Sequence, residues 1–238
     1  MTVDARRRDP GPACSPELNN IYKSVESYYT GKLTKYGASP LGVDWSCQAT
    51  QWLRFVQLLR ICDFDTAFSL NDLGCGYGEL AGFLRQRYPR VSVDYLGADL
   101  SPAMVRSARR RHRGDPNTRF TVGRTCGRQS DYTVASGIMN VMLGYTVPLW
   151  ESFLRGILVE MHRTSLRGFA VNFCMSSRPD LPPNQLYCSD PDPWVRFCDE
   201  ELGCSVEVAG DYGLREFTLL VRRRDGPGEV FSAPVVVG

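Results

Sequence analysis

The sequence predicts an α/β domain in which helices cover both faces of a seven-stranded, mostly parallel sheet. Short apolar segments alternate with amphipathic ones from about residue 68 onward, which is typical of parallel strands joined by crossover helices. A segment near the end, "CSVEVAGDYGLREFTLLVRR", indicates two strands around a tight turn. This hairpin predicts that the last strand runs antiparallel to the others.

The chain divides into four expected regions. Residues 1–16, rich in proline and arginine, predict a flexible arm, and residues 17–66 predict an N-terminal helical cap. Residues 67–224 predict the sheet domain, and residues 225–238 a loose tail rich in glycine and proline.

Two helices are predicted in the cap. The first begins at Pro16 and runs towards Tyr29. The second covers "QATQWLRFVQLLRICDF", where Trp52, Phe55 and Leu59 recur at helical spacing. A stretch of turn-forming residues, "YGASPLGVDWS", separates the two.

The sheet domain alternates regularly between the two element types. The predicted strands before the closing hairpin are "FSLNDLG", "SVDYLGADL", "TRFTVG", "DYTVASG" and "GFAVNFCM". The predicted helices are "GELAGFLRQRYP", "SPAMVRSARRRH", "PLWESFLRGILVEMHRTS" and "DPWVRFCDEEL". Ser101 is the expected N-cap of the second of these helices, with Pro102 at its first position.

Composition excludes several classes of protein. The net charge of +2 gives no general field for nucleic acid. The nine cysteines form no C-x-x-C pair, which argues against structural zinc and against a disulfide framework. No apolar run reaches the roughly 20 residues of a membrane helix, and no secretory signal is recognisable. We therefore expect a cytoplasmic protein, monomeric or homodimeric, that uses neither membrane nor nucleic acid.

One basic cluster is an exception to the neutral balance. The stretch "RSARRRHR", Arg106 to Arg113, predicts a helix with several arginines on one face. A solvated helix face is the ordinary interpretation. A docking face for RNA or protein is the alternative.

The segment "LNDLGCGYGELAGFL" places Gly74, Gly76 and Gly78 between a strand and a helix. The dinucleotide fingerprint is G-x-G-x-x-G, but Glu79 stands where its third glycine would fall. A carboxylate at a helix N-terminus opposes a pyrophosphate. The turn therefore favours a ligand without phosphate, and S-adenosylmethionine, adenosine joined to a cationic methionine, is such a ligand.

The downstream strand ends agree with this ligand. Asp99 ends the second strand, 21 residues after Gly78, where a carboxylate can accept both ribose hydroxyls. The fourth strand ends in Ala135, Ser136 and Gly137, which are small enough to leave room for the methionine part.

These motifs resemble those of the class I S-adenosylmethionine-dependent methyltransferases, with their Rossmann-like fold. "NDLGCGYG" is similar to the first motif of that family, "GADLSPAM" to the second, "SDYTVASG" to the fourth-strand motif and "DYGLREFTLLVRR" to the terminal hairpin. The resemblance covers about residues 50 to 224. The segment "YYTGKLTKYGASPLGVDWSCQATQWLRF" also resembles the N-terminal cap of small bacterial members of the family.

The resemblance implies that the three glycines line the cofactor and that Asp72 orients the turn or the cofactor's amino group. Arg124 stands where an acidic residue is commoner, so the contact to the adenine amino group is left open. Arg54 is either a partner for the cofactor's carboxylate or half of a surface ion pair. The expected cofactor-binding residues are Arg54, Asp72, Gly74, Cys75, Gly76, Gly78, Asp99, Leu100, Met104, Gly123, Arg124, Ser136 and Gly137.

The substrate is expected between the cap and the loops after the fourth and fifth strands. Expected substrate-binding residues are Tyr28, Tyr36, Trp45, Asn140, Tyr145, Asn172 and Tyr187. Catalytic candidates are Tyr29, Asp44, Trp45 and Asn140. His112 and His162 are expected to face solvent, and no acidic cluster predicts a metal, so catalysis by positioning is the preferred hypothesis.

Three functions remain open at this point. The preferred one is methyl transfer to a small molecule, on oxygen or nitrogen or, less favoured, on carbon, in bacterial secondary metabolism. The second is methylation of RNA or protein that docks on the basic helix. The third is cofactor binding without transfer.

Overall fold

The computed structural model describes residues 15–176 and 185–224. Most of the predicted arm and all of the predicted tail lie outside these residues. The described part is an α/β domain, as the sequence predicts.

One sheet organises the described residues. Its strands are β1 (Phe68–Leu73), β2 (Val93–Asp99), β3 (Thr118–Val122), β4 (Ser130–Ala135), β5 (Ser165–Met175), β6 (Cys188–Ser189), β7 (Cys204–Ala209) and β8 (Glu216–Arg223). The strand order is β3-β2-β1-β4-β5-β8-β7, and the short β6 pairs with β5 outside this path. Strand β8 runs antiparallel to both of its neighbours, which confirms the predicted antiparallel last strand.

Six helices accompany the sheet in the described residues. They are α1 (Pro16–Tyr36), α2 (Gln48–Leu58), α3 (Glu79–Arg87), α4 (Pro102–Arg111), α5 (Val147–Thr164) and α6 (Asp192–Arg196). A π turn, Phe197–Glu201, continues α6, and a 3₁₀ turn, Pro40–Val43, lies between α1 and α2. Ser101 is the N-cap of α4, as predicted, because its hydroxyl accepts the Met104 N–H at 3.3 Å.

Two apolar clusters hold these elements on the sheet. One packs α5 and the α6 region, with Trp150 and Trp194 fully buried, against one face. The other packs α2, α3 and α4 against the opposite face, around Leu58, Leu80 and Val105. Burial on both faces explains why the central strands β1, β4, β5 and β8 are buried along most of their length.

The cap lies beyond the carboxyl ends of the strands. Helix α1 rests on α5 through an edge-to-face contact between Tyr22 and Phe153, with ring centroids 5.0 Å apart. A hydrogen bond of 2.8 Å between the Ser24 and Tyr145 hydroxyls adds a second link to the loop before α5. The strand order reverses between β1 and β4, and this switch point lies below the cap.

Candidate functional site

A cavity opens at the switch point. Its floor consists of the ends of β1, β2 and β4 and the turn after β1, and its roof consists of α1, the segment before α2, and α2 itself. Ligands in sheets of this topology bind at this place. The cavity is therefore the candidate functional site.

The glycine turn after β1 has the geometry of a close backbone approach. Gly74, Gly76 and Gly78 all have positive φ, at 77°, 54° and 82°, where a side chain is strained. The Gly76 N–H donates to Asp99 Oδ2 at 2.8 Å. The Ser101 N–H donates to the other oxygen, Oδ1, also at 2.8 Å. Two backbone donors thus orient the Asp99 carboxylate into the cavity.

Two carboxyl groups in the cavity have raised pKa values. Burial raises the pKa of Asp72 to about 7, although the Tyr95 hydroxyl donates a hydrogen bond to it. Burial likewise raises the pKa of Asp99 to about 6, against the lowering effect of its two backbone donors. Raised pKa values in a cleft are a feature of functional sites. A cation or a set of hydroxyl donors would favour the charged form of both groups.

Glu79 is buried at the start of α3, with 5% exposure. Its Oε1 accepts hydrogen bonds from Trp52 Nε1 at 3.0 Å and Gln48 Nε2 at 3.2 Å. Its Oε2 forms an ion pair with Arg111 at 2.6 Å. A fixed carboxylate therefore stands at the N-terminus that a pyrophosphate would need, in agreement with the expectation from the glycine spacing.

The fourth-strand end forms another part of the cavity floor. Ser136 and Gly137 both line it, and the Ser136 hydroxyl has no hydrogen-bond partner among the described residues. Trp45 from the cap lies directly on Gly137, where an added Cβ would come within 2.3 Å of the indole. The cavity therefore contains an unused polar group beside an aromatic wall.

Arg54 occupies a different place from the one expected of a cofactor ligand. Its guanidinium donates to both carboxylate oxygens of Glu216, with Nε at 2.7 Å from Oε2, and the residue is 7% exposed. Its outer face stacks on the Trp45 ring at 3.8 Å. Arg54 does not line the cavity. The predicted ion pair is present, but it is buried and not at the surface. Because Arg54 packs on Trp45 outside the cavity lining, the structure gives no support to a contact with the cofactor's carboxylate.

The two asparagines expected at the substrate are buried hydrogen-bonding groups outside the cavity lining. Asn172 accepts the Gly137 N–H at 2.8 Å and donates to Glu216 at 2.9 Å. Asn140 accepts the Cys174 N–H at 2.9 Å. The Oδ1 of each asparagine accepts a backbone N–H at a strand end, and neither residue lines the cavity in this structure.

Four other candidates also lie outside the cavity lining. Tyr187 is buried with its hydroxyl donating to Glu151 at 2.9 Å, and the Tyr145 hydroxyl is engaged with Ser24. Tyr28 and the exposed Tyr36 flank Lys32 on the outer side of α1, with the Lys32 Nζ 5.3 and 5.7 Å from their ring centroids.

Asp44 joins the cluster around Lys32. Its Oδ1 forms an ion pair with Lys32 at 2.5 Å, and its backbone has a positive φ of 62°. Its Oδ2 is buried without a hydrogen-bond partner among the described residues. Of the four catalytic candidates, only Tyr29 and Trp45 line the cavity.

The prediction that His112 faces solvent is wrong. It is 5% exposed, and its Nε2 lies 2.8 Å from the carbonyl oxygen of Gly78. Burial lowers the pKa of His112, so it is the neutral imidazole that holds the end of the glycine turn. The cause is the packing of α4 beside the start of α3, which helical spacing alone does not reveal.

The remaining expected cofactor residues line the cavity, with the exception of Gly78. The lining also includes residues that sequence reasoning missed. They are Tyr22, Val25, Glu26, Val43, Gln51, Phe55, Leu73, Tyr77, Glu79, Leu80, Ile138, Phe153 and Ile157. A signal for the α1 members was present, since Tyr22, Glu26 and Tyr29 recur at helical spacing.

Within residues 15–176 and 185–224, no group of three or more His, Cys, Asp and Glu side chains is arranged to hold a metal. In the same residues, no helix is long and apolar enough to cross a membrane.

The sequence of residues 71–165 matches the methyltransferase domain family. A Mycobacterium tuberculosis protein named as a methyltransferase is 40% identical over 167 residues, which span 69% of this chain and 99% of that protein. The chain therefore belongs to the class I S-adenosylmethionine-dependent methyltransferases, and the resemblance seen in the motifs is confirmed.

Two solved structures illustrate the likeness in fold. Magnesium protoporphyrin IX methyltransferase of Synechocystis PCC 6803, with bound S-adenosylhomocysteine, is 15% identical with a TM-score of 0.56, over 86% of this chain and 99% of that one. Human N-acetylserotonin methyltransferase, in complex with S-adenosylmethionine, is 14% identical with a TM-score of 0.57, over 90% of this chain and 60% of that one. At these identities the likeness concerns the fold.

Proposed function

We propose that this protein transfers the methyl group of S-adenosylmethionine to an oxygen or nitrogen atom of a small molecule, in bacterial secondary metabolism and without a metal. The observation that supports this most directly is one cavity that combines the glycine turn and Asp99 with an aromatic roof from the cap. Carbon methylation is the less favoured variant of the same proposal.

The polar and apolar groups that line the cavity suit S-adenosylmethionine. Asp99 offers two oriented carboxylate oxygens to a ribose, and Leu100 and Met104 offer apolar surface beside it for adenine. Asp72 is a buried carboxylate next to the bare turn, where an ammonium group would favour its charged form. The Ser136 hydroxyl, unpartnered in the described residues, is a further donor or acceptor for the methionine part. When bound, the cofactor supplies an electrophilic methyl group on a sulfonium.

The roof suits a small acceptor held beside that methyl group. Trp45 and Tyr29 provide large, rigid surfaces, and Val43 and Phe55 complete an apolar wall. Such a wall excludes water and aligns the acceptor, which accounts for catalysis by positioning. Burial raises the pKa of Tyr29 well above its usual value, so its hydroxyl is protonated at neutral pH and can donate a hydrogen bond but not act as a base.

The basic helix gives weaker support to a macromolecular acceptor. Arg111 is paired with Glu79, and Arg109 donates to the Phe120 carbonyl oxygen at 2.7 and 3.1 Å. The arginines that remain exposed are spread along a solvated face, as is common for surface helices.

Isotope transfer from methyl-labelled S-adenosylmethionine tests the proposal. The protein is incubated with a bacterial extract that has been separated into small molecules, protein and RNA. We expect label in the small-molecule fraction with the wild-type chain and much less with Asp99→Ala at the same cofactor concentration. Label confined to RNA or protein, and abolished by Arg106→Ala with Arg110→Ala, would replace this proposal by the docking alternative.

A further inference from the structure

Helix α1 brings a carboxylate, Glu26, to the wall of the cavity at its Asp99 end. The Thr30 hydroxyl, one turn later, donates to Glu26 Oε1 at 2.9 Å. Glu26 Oε2 has no hydrogen-bond or ion-pair partner in the part of the chain that the structure describes. One acceptor oxygen of the cap is therefore available to whatever fills the cavity.

A directed chain of hydrogen bonds fixes this carboxylate relative to the sheet. The Ser101 hydroxyl accepts the Met104 N–H, and it lies 2.7 Å from the Thr30 hydroxyl. Since Thr30 uses its only proton on Glu26, Ser101 must donate to Thr30. The Ser101 N–H in turn donates to Asp99. Ser101 therefore links the two carboxylates: its hydroxyl reaches Glu26 through Thr30, and its backbone N–H holds Asp99.

Two carboxylates at one end of a partly buried cavity repel each other unless donors lie between them. The charge of Glu26 is one of the causes that raise the pKa of Asp99. The nearest cation of the lining, Arg124, is exposed and stacks on Tyr22 at 4.3 Å. A vicinal diol offers two O–H donors and relieves the repulsion without a counter-ion.

We propose that Glu26 is a specificity-determining residue that accepts a hydrogen bond from one ribose hydroxyl of the cofactor, while Asp99 accepts from the other. This inference rests on the proposed function. It makes α1 part of the nucleoside site.

Titration calorimetry with S-adenosylhomocysteine at pH 8 tests the role of Glu26. At that pH Asp99, whose pKa burial raises to about 6, is ionised, so removal of the Glu26 charge does not act through protonation of Asp99. Glu26→Gln keeps the acceptor for Thr30 but replaces a charged acceptor by a neutral one. We expect binding about 5- to 10-fold weaker. Thr30→Val, which removes the orienting donor and keeps the shape, should weaken binding by a smaller factor.

Analogues separate a ribose contact from a structural role. The ratio of wild-type to Glu26→Gln affinity should fall towards one for either the 2′-deoxy or the 3′-deoxy analogue of S-adenosylhomocysteine. It should stay unchanged for S-inosylhomocysteine, which lacks only the adenine amino group. Glu17→Gln, a carboxylate of the first turn of α1 that is exposed, is the matched control and should bind as wild type does.

Two outcomes overturn the inference. One is equal or tighter binding by Glu26→Gln, and the other is a ratio that both deoxy analogues leave unchanged. A wild-type chain that binds no S-adenosylhomocysteine would instead overturn the proposed function itself, so the two failures are distinguishable.

Discussion

Asp99 is the side chain on which the candidate site depends most. Asp99→Ala removes the acceptor for a ribose hydroxyl and also frees the Gly76 N–H from its anchor. A hydrogen bond to a charged group contributes about 1.5–3 kcal/mol, so we expect S-adenosylhomocysteine to bind about 10- to 100-fold more weakly. Calorimetry provides the measurement.

The control for that variant is Asp94→Ala on the same strand. Asp94 is exposed and forms ion pairs with Arg119 and Arg128, both at 2.7 Å. It should leave binding unchanged. Unchanged binding by a folded Asp99→Ala protein would mean that the ribose lies elsewhere.

The raised pKa of Asp72 predicts how the free energy of unfolding depends on pH. Its pKa is about 7 in the folded state and about 3.9 in an unfolded chain. The folded state therefore binds more protons between these values, and the contribution of Asp72 to stability is lost as pH rises through about 7. Its neighbours Tyr95, Asp99, Cys75 and Cys126 supply no positive charge to offset this.

Asp72→Asn lacks this titration but still accepts a hydrogen bond from Tyr95. Between pH 5 and pH 8, its free energy of unfolding should rise relative to the wild type by about 2–4 kcal/mol. Urea unfolding at several pH values measures the difference. Parallel pH curves for the two proteins would show that Asp72 is ionised throughout.

At the residue scale, sequence reasoning located the groups that lie at motif positions. Asp72, Asp99 and Gly137 line the cavity as expected. It could not tell polar side chains that line the cavity from those that accept a backbone N–H, and Asn140 and Asn172 are of the second kind in this structure. The difference depends on which buried N–H lies within reach, a tertiary property.

The cap should become more resistant to proteolysis when the cofactor binds, because part of helix α1 lines the cavity. Helix α1 ends at Tyr36, and Gly37 follows with a positive φ of 68°. Trypsin should cleave at the exposed Lys35 in the free protein. Because Tyr22, Glu26 and Tyr29 line the cavity, S-adenosylhomocysteine should slow that cleavage several-fold.

A second tryptic site serves as the internal control. Arg90 is exposed in the loop before β2, at the opposite end of the strand from the cavity. Its cleavage should not respond to the ligand. Equal protection at both sites would indicate general stabilisation, and no protection at Lys35 would mean that α1 only covers apolar surface.

At the element scale, most predicted helices and strands agree with the structure to within about two residues. The exceptions depend on tertiary contacts. Helix α1 continues beyond Tyr29 through Gly31, a poor helix former, and its C-terminal part packs on the 3₁₀ turn of Pro40–Val43. The two-residue β6 carries no signal of its own, because only its pairing with β5 makes it a strand.

At the scale of the whole molecule, the absence of a metal stays a prediction. The described residues contain no acidic or histidine group arranged for one. Methyl transfer should therefore proceed at an unchanged rate after removal of divalent ions with a chelator. A loss of activity that magnesium restores would contradict this and would assign the alignment of the acceptor to a metal.

We propose that the glycine turn holds S-adenosylmethionine and not a dinucleotide. This selectivity depends on the buried Glu79, whose two oxygens are fixed by Trp52, Gln48 and Arg111 at the start of α3. Titration calorimetry of one wild-type preparation with S-adenosylmethionine, S-adenosylhomocysteine and NAD distinguishes the two ligand classes. We expect saturable binding of the first two, one molecule per chain, and no measurable binding of NAD. Binding of NAD alone would show that the turn holds a dinucleotide.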